Sequence, residues 1–367
     1  MGLGRRIAFR IIQAIGRSAA SLGYSICLAE LIISPAMPSA TTRGGGVFYP
    51  IVQSLSSAFD SEPGPTAGRI GKYLMQVGFH ADAVTCIMFL TSMAGNPLCV
   101  GLAASAIGVE LTWMQWAVAA IVPGLVCLLL VPLVLLRIAP PEIRQIPNAR
   151  QIARDELEKM GPMSRDELVL SFVFLMCLVL WPHGSGCHVD RDARGLHHAH
   201  RRRPHLEGLP RRKGRQKPMF WMGGLMALAT ALSQSGFIKW AAAFIANGIA
   251  GAHMGWISSF LIISLIYIYS HYCFASVTAR ISAMYAAFVA VAAACGAPAL
   301  MVAVAFGIFA NLPISLTHYG NGAVPVYFGT GYVSQSEWWR NGFIVCTVNT
   351  VAWLTVGMTW WKLIGLW

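Results

Sequence analysis

Four clusters of small and polar residues interrupt an otherwise apolar chain. The first runs Ser34-Pro35-Ala36-Met37-Pro38-Ser39-Ala40-Thr41-Thr42-Arg43-Gly44-Gly45-Gly46. Its prolines break a helix and its glycines let backbone come close. Ser39, Thr41 and Thr42 place hydroxyls beside Arg43, a set suited to an anion in a low-dielectric site. The blander reading is a helix–loop junction with a snorkelling arginine. The second cluster, Met93-Ala94-Gly95-Asn96-Pro97, is an Asn-Pro break whose freed carbonyls either coordinate a cation or bond to water. The third, Ala275-Ser276-Val277-Thr278-Ala279-Arg280-Ile281-Ser282, turns on Arg280. An intramembrane arginine is costly and normally has an anionic partner or a task, and its planar fork suits a carboxylate. Against this stands a plain helix end at the interface. The fourth is Leu316-Thr317-His318-Tyr319-Gly320-Asn321-Gly322-Ala323, an irregular turn with four side chains able to hydrogen-bond. A lone histidine there is more often structural than a proton carrier.

The elements that hold these clusters are dictated by composition. Of 367 residues, 56% are hydrophobic and only 11% charged, less than half the share usual in soluble domains. Mean hydropathy is +0.58. A soluble enzyme, a disordered tail protein and a disulfide scaffold are all excluded. What remains is an all-α, multi-spanning membrane protein. Candidate apolar segments lie at 18–34, 73–93, 112–136 and 168–182, then at 219–235, 237–250, 256–275, 282–297, 299–316 and 343–361. Several are too short or too rich in Gly, Pro and Ser for simple spans, which points to re-entrant hairpins and broken helices. Hydroxyl-rich break followed by Asn/Gly-containing break occurs once in each group, so the halves look like degenerate copies.

The chain divides into a first part at 1–136, a polar loop at 137–166, a short apolar segment at 167–182, an anomalous block at 183–217 and a second part at 218–367. The 137–166 loop is the best cytoplasmic candidate by its Lys/Arg content. Block 183–217 holds ten Lys/Arg and six of the ten histidines and contributes +7 of the net +12. It reads as a disordered basic loop, with an out-of-frame stretch as the alternative; no carboxylate or cysteine spacing supports a metal. The charge is thus local, and no nucleic-acid partner is expected. The nine cysteines, without a Cys-x-x-Cys pair, are small core residues.

These motifs resemble those of the divalent anion/sodium symporter family, especially its bacterial citrate/succinate and 2-oxoglutarate/malate exchanger branch. The carriers of the resemblance are Pro38-Ser39-Ala40-Thr41-Thr42-Arg43-Gly44-Gly45, where the family has Pro-Ser-Asn-Thr-Ala-Arg and glycines, and His271 to Arg280, Leu316 to Gly320 and Gly331 to Arg340. The resemblance covers roughly 8–182 and 219–367. It implies two repeats, the first incomplete at its N-terminus, and a homodimer in which hairpin tips bind a carboxylate near the midplane. By position it assigns Ser39, Ala40, Thr41 and Arg43 to one half-site, and Ser276, Thr278, Ala279 and Arg280 to the other. Thr317 and His318 flank the substrate, while Gly95, Asn96, Gly320 and Asn321 are the candidate cation ligands. Ala40 departs from the signature asparagine.

The expected activity is secondary transport of di- or tricarboxylates (succinate, malate, 2-oxoglutarate, citrate or tartrate) by anion exchange with alternating access, in a bacterial inner membrane. There is no catalytic residue, metal or cofactor. With Ala40 and no acidic cage evident, sodium coupling is the weaker alternative. Others are a non-transporting relative, and an intramembrane serine hydrolase using Ser39 or Ser276 with His271 or His318, which needs a serine–histidine contact.

Overall fold

The computed structural model describes residues 2–146, 148–180 and 255–367. Among them every regular element is helical, with one isolated bridge between Ser18 and Gln145. The 183–217 block and the segments expected at 219–235 and 237–250 lie outside the described residues.

The first series opens with α1 (Gly2–Ile15) and α2 (Ala19–Ala36). A capping box between Ser18 and Ser21 starts α2. Ser34-Pro35 tightens its end into a 3₁₀ turn, because proline lacks an amide proton for the next bond. After an extended Met37 the chain turns back as α3, wound as a π-helix over Thr41–Phe48 and as an α-helix over Tyr49–Ala58. The apolar pattern did not show α3, since glycines, serines and a proline fill it. Next come α4 (Gly71–Met88), a break, and α5 (Gly95–Ile107). Every residue of α4 except Lys72 is buried, as expected of a helix enclosed on all sides. The 73–93 segment therefore ends early: Phe89 and Met93 are extended around a 3₁₀ turn at Leu90–Ser92. Helix α6 (Trp113–Ile138) is about 39 Å long and exceeds a ~30 Å hydrocarbon core. Two shorter helices close the series, α7 (Ala149–Met160) and α8 (Arg165–Leu180). Salt bridges Arg5–Glu156 (3.5 Å) and Arg6–Glu167 (3.1 Å) fix α1 against them.

The second series runs in the same order. Helix α9 (Trp256–Cys273) leads to a turn at 274–276 and then to α10 (Val277–Ala294), which carries a π turn at Ile281–Tyr285. This helix begins five residues before the apolar run expected at 282–297, so Arg280 lies inside it. Helix α11 (Ala299–Ser315) is buried throughout from Met301 to Ser315 and occupies a central place like that of α4. A break at 316–323 leads to the short α12 (Val324–Phe328), then to α13 (Gln335–Leu363). Among the described residues, five helices (α2, α6, α9, α10 and α13) are long and apolar enough to cross a membrane.

The two series interlock. Trp360 and Trp361 of α13 donate their indole N–H groups to the carbonyls of Val118 and Ala119 on α6, at 2.8 and 3.0 Å. Lys72 at the start of α4 meets Glu337 at 2.7 Å, and Asn341 donates to Gln76 at 2.9 Å.

Candidate functional site

The two turns share one register. Ser39 accepts a hydrogen bond from the Thr42 amide at 3.3 Å, and Ser276 accepts one from the Ala279 amide at 3.3 Å. Each serine thus satisfies an orphan donor at the start of a helix. Counting on from it gives Ser39-x-Thr41-x-Arg43 and Ser276-x-Thr278-x-Arg280. Thr41 and Thr278 are exposed, Arg43 and Arg280 buried, and a π-helical turn follows or encloses each. The residue between serine and threonine is Ala40 in one turn and Val277 in the other, at 4% and 3% exposure. Ser276, Thr278, Ala279 and Arg280 thus lie together at the start of α10. Ala40 can offer a ligand only its backbone.

Arg43 is completely enclosed. Its Nε donates to Glu30 Oε2 at 2.9 Å, and its Nη2 lies 2.7 Å from Asp82 Oδ1. Nη1 donates to the carbonyls of Met37 and Ser92, both at 3.0 Å, and Nη2 also reaches Cys86 Sγ at 3.1 Å. Every arm of the fork has a partner inside the protein, which leaves no donor of Arg43 free. Its ion partners sit on α2 and α4, and the acidic cage missed in the sequence is this pair of carboxylates.

Arg280 has the opposite surroundings. Its Nη2 donates to the Phe309 carbonyl at 3.0 Å, and its guanidinium carbon sits 4.4 Å from the centre of the Tyr267 ring. Nε and Nη1 have no hydrogen-bond partner, and no carboxylate pairs with it among the described residues. Arg280 is therefore a wholly buried cation with two donors unused, and it is no marker of a helix end at the interface.

Each turn packs on the break of the other series. A Cβ on Gly322 would lie 2.5 Å from Thr41 Oγ1, and one on Gly45 would lie 3.2 Å from Val326. Reciprocally, a Cβ on Gly95 would lie 2.8 Å from Ile281. The glycines are there because side chains would not fit. Asn311 of α11 donates to Asn96 Oδ1 at 2.7 Å, joining α11 to the start of α5.

The candidate cation ligands are otherwise engaged. The carbonyls of Cys86 and Phe89 accept from Asn96 Nδ2 at 2.8 and 2.9 Å, and from Ser92 Oγ at 2.6 and 2.7 Å. Asn96 so serves as a plug for the break. Asn321 Oδ1 accepts from the amides of Ala323 and Val324, capping α12, and the Gly320 amide bonds the Thr317 carbonyl. Thr317 is buried with its hydroxyl unpartnered. His318 accepts from the Trp339 indole at 2.9 Å, within an aromatic group containing Tyr319 and Phe328. Neither Ser39 nor Ser276 is hydrogen-bonded to a histidine, and neither ring nitrogen of buried His271 has a partner. The hydrolase arrangement is absent among the described residues.

A helical, multi-spanning chain with two polar breaks per series is matched by known proteins. The family model for the sodium:sulfate symporter transmembrane region matches residues 1–199 and 209–367. The chain belongs to this family of divalent anion/sodium symporters. It is thereby an integral membrane transporter and not an enzyme. Among its relatives, a putative malate transporter of Bacillus subtilis is 43% identical over 100% of this chain and 77% of its own length. Dicarboxylate transporter 1 of Spinacia oleracea chloroplasts is 39% identical over 100% of this chain and 65% of its own. An inner membrane protein of Escherichia coli is 34% identical, over 100% and 77%.

Reading this transporter by apolar pattern alone missed Glu30 and Asp82. A signal existed: each is an acid inside an apolar run (Leu28-Ala29-Glu30-Leu31-Ile32, and Ala81-Asp82-Ala83-Val84), and an intramembrane carboxylate is rarely idle.

Proposed function

We propose that the chain exchanges dicarboxylates across a bacterial inner membrane. The observation that carries this reading is Arg280, a buried guanidinium whose Nε and Nη1 remain free. A carboxylate would supply both the missing charge and the missing acceptors, and charge-assisted bonds of this kind are about twice as strong as neutral ones. Thr41 and Thr278 add exposed hydroxyls beside the first amides of α3 and α10, where helix dipoles favour an anion. The printed names of the Bacillus and spinach relatives, a malate and a dicarboxylate transporter, agree in substrate class. The E. coli relative's name supports the inner membrane.

Exchange is favoured over sodium symport on two grounds. First, the carbonyls at the α4–α5 break, which a cation would use, already carry hydrogen bonds from Asn96 and Ser92. Second, an empty carrier leaves two buried donors of Arg280 unsatisfied, whereas a loaded carrier does not. We further infer that the two series are repeats with re-entrant hairpins, that their Ser-x-Thr turns form the two half-sites, that access alternates, and that the carrier works as a homodimer. The test is uptake of labelled succinate by proteoliposomes of the purified chain. Uptake confined to vesicles preloaded with dicarboxylate is the expected result. Sodium-dependent uptake into empty vesicles would establish symport instead, and silence in every condition from folded protein would remove transport by this chain.

A further inference from the structure

Glu30 and Asp82 share one guanidinium in the buried interior of the protein. The side chains of both acids and of Arg43 are 0% exposed. One positive and two negative groups leave a formal charge of −1. Glu30 Oε2 faces Arg43 and, at 3.4 Å, Thr85 Oγ1, and Asp82 Oδ1 lies 2.7 Å from Arg43 Nη2. The other two carboxylate oxygens, Glu30 Oε1 and Asp82 Oδ2, have no hydrogen-bond partner. Two carboxylates crowded into a low-dielectric site do not both stay ionised readily, and an oxygen without a donor is where a proton goes. The other groups facing the cluster are Cys27 of α2, Cys86 and Thr85 of α4, and Tyr327 of α12, whose hydroxyl donates to the Gly44 carbonyl at 3.1 Å. None of them is a second cation. His80 lies two residues from Asp82, on another side of α4.

The cluster is tied to the transport machinery through Arg43, which bonds Met37 in the first turn and Ser92 at the break, two residues from exposed Thr41. Together Glu30, Asp82, Arg43 and Arg280 sum to zero; a bound dianion takes the total to −2, and one proton returns it to −1. We propose that Glu30 and Asp82 together hold one exchangeable proton, taken up when a dicarboxylate binds and released when it leaves. The step is simple proton transfer: an O–H bond forms on a carboxylate oxygen and the buffer loses the proton. Each dicarboxylate then crosses with one proton, in both directions of an exchange. This inference rests on the dicarboxylate reading above.

Calorimetric titration of the full-length purified chain with 2-oxoglutarate, whose carboxylates stay ionised near neutral pH, tests both. It is run with and without sodium in buffers of different ionisation heat. The wild-type chain is expected to take up about one proton per ligand, with affinity rising up to about tenfold per pH unit of acidification. Glu30→Gln, which leaves one acid for one guanidinium, is expected to bind with no proton uptake and with affinity independent of pH. Buffer-independent heats with pH-independent affinity in the wild type overturn the proton site while leaving the carrier reading intact. Proton-free binding that requires sodium overturns it in favour of a metal cation. No binding by folded protein overturns the dicarboxylate reading and the proton with it.

Discussion

Arg43 and Arg280 occupy the same place in two similar turns, four residues after a capping serine, and both are fully buried. One is held by Glu30 and Asp82; the other has a carbonyl and an aromatic face. The difference shows that position alone does not assign a role. What decides is whether the protein supplies the counter-charge or leaves it to a ligand. Beside Arg43 the unpartnered groups are acceptors (Glu30 Oε1 and Asp82 Oδ2), and on Arg280 they are donors (Nε and Nη1). The turn geometry is alike in the two series, and the charge around it is not.

The contrast is broken most directly by substituting methionine for each arginine. Arg43→Met strands two buried carboxylates and is expected to lower stability by about 3–5 kcal/mol, seen as a large fall in Tm. Arg280→Met removes an unpaired buried charge, so its Tm is expected to hold or rise, while dicarboxylate affinity drops about 10- to 100-fold. Equal Tm losses in the two variants would erase the distinction. Next in size is Asn311→Ala, which leaves Asn96 Oδ1 without its donor; a loss of about 1–3 kcal/mol is expected. A double-mutant cycle with Asn96→Ala measures how much of that loss belongs to the pair. Gly322→Ala drives a methyl group into Thr41 Oγ1 and is expected to cost about 1–3 kcal/mol. Adding Thr41→Ala restores stability but not transport, because the clash and the hydroxyl leave together. The smallest effects sharpen the register. Ser39→Ala and Ser276→Ala each lose one cap, at about 1 kcal/mol, and markedly unequal losses would argue against equivalence of the turns.

Much of this architecture is legible in the chain. Apolar runs gave α6, α9 and α11 nearly to the residue, and proline, glycine and hydroxyl clusters marked all four breaks. Helices α3 and α5 were hidden, because what holds them is contact with other helices and not a pattern of their own. At the site, hydroxyls and arginines could be named in advance, yet their functions could not. Arg43 differs from Arg280 through Glu30 and Asp82, which lie 13 residues before it and 39 after it and meet it only in space. The shared Ser-x-Thr-x-Arg spacing was readable in the chain.

The Asn96–Asn311 bond links residues 215 positions apart, and that separation is also an interval of time. At ~5–20 residues per second, Asn311 leaves the ribosome roughly 10–40 s after Asn96. Tyr327, which bonds Gly44 across 283 positions, arrives later still. Throughout that wait the first series sits in the bilayer with its central amide unmatched and its α3 glycines uncovered. Such a half-built membrane protein is what quality-control proteases recognise, so substitutions that loosen the late partners should lower yield in the cell before they alter the purified carrier.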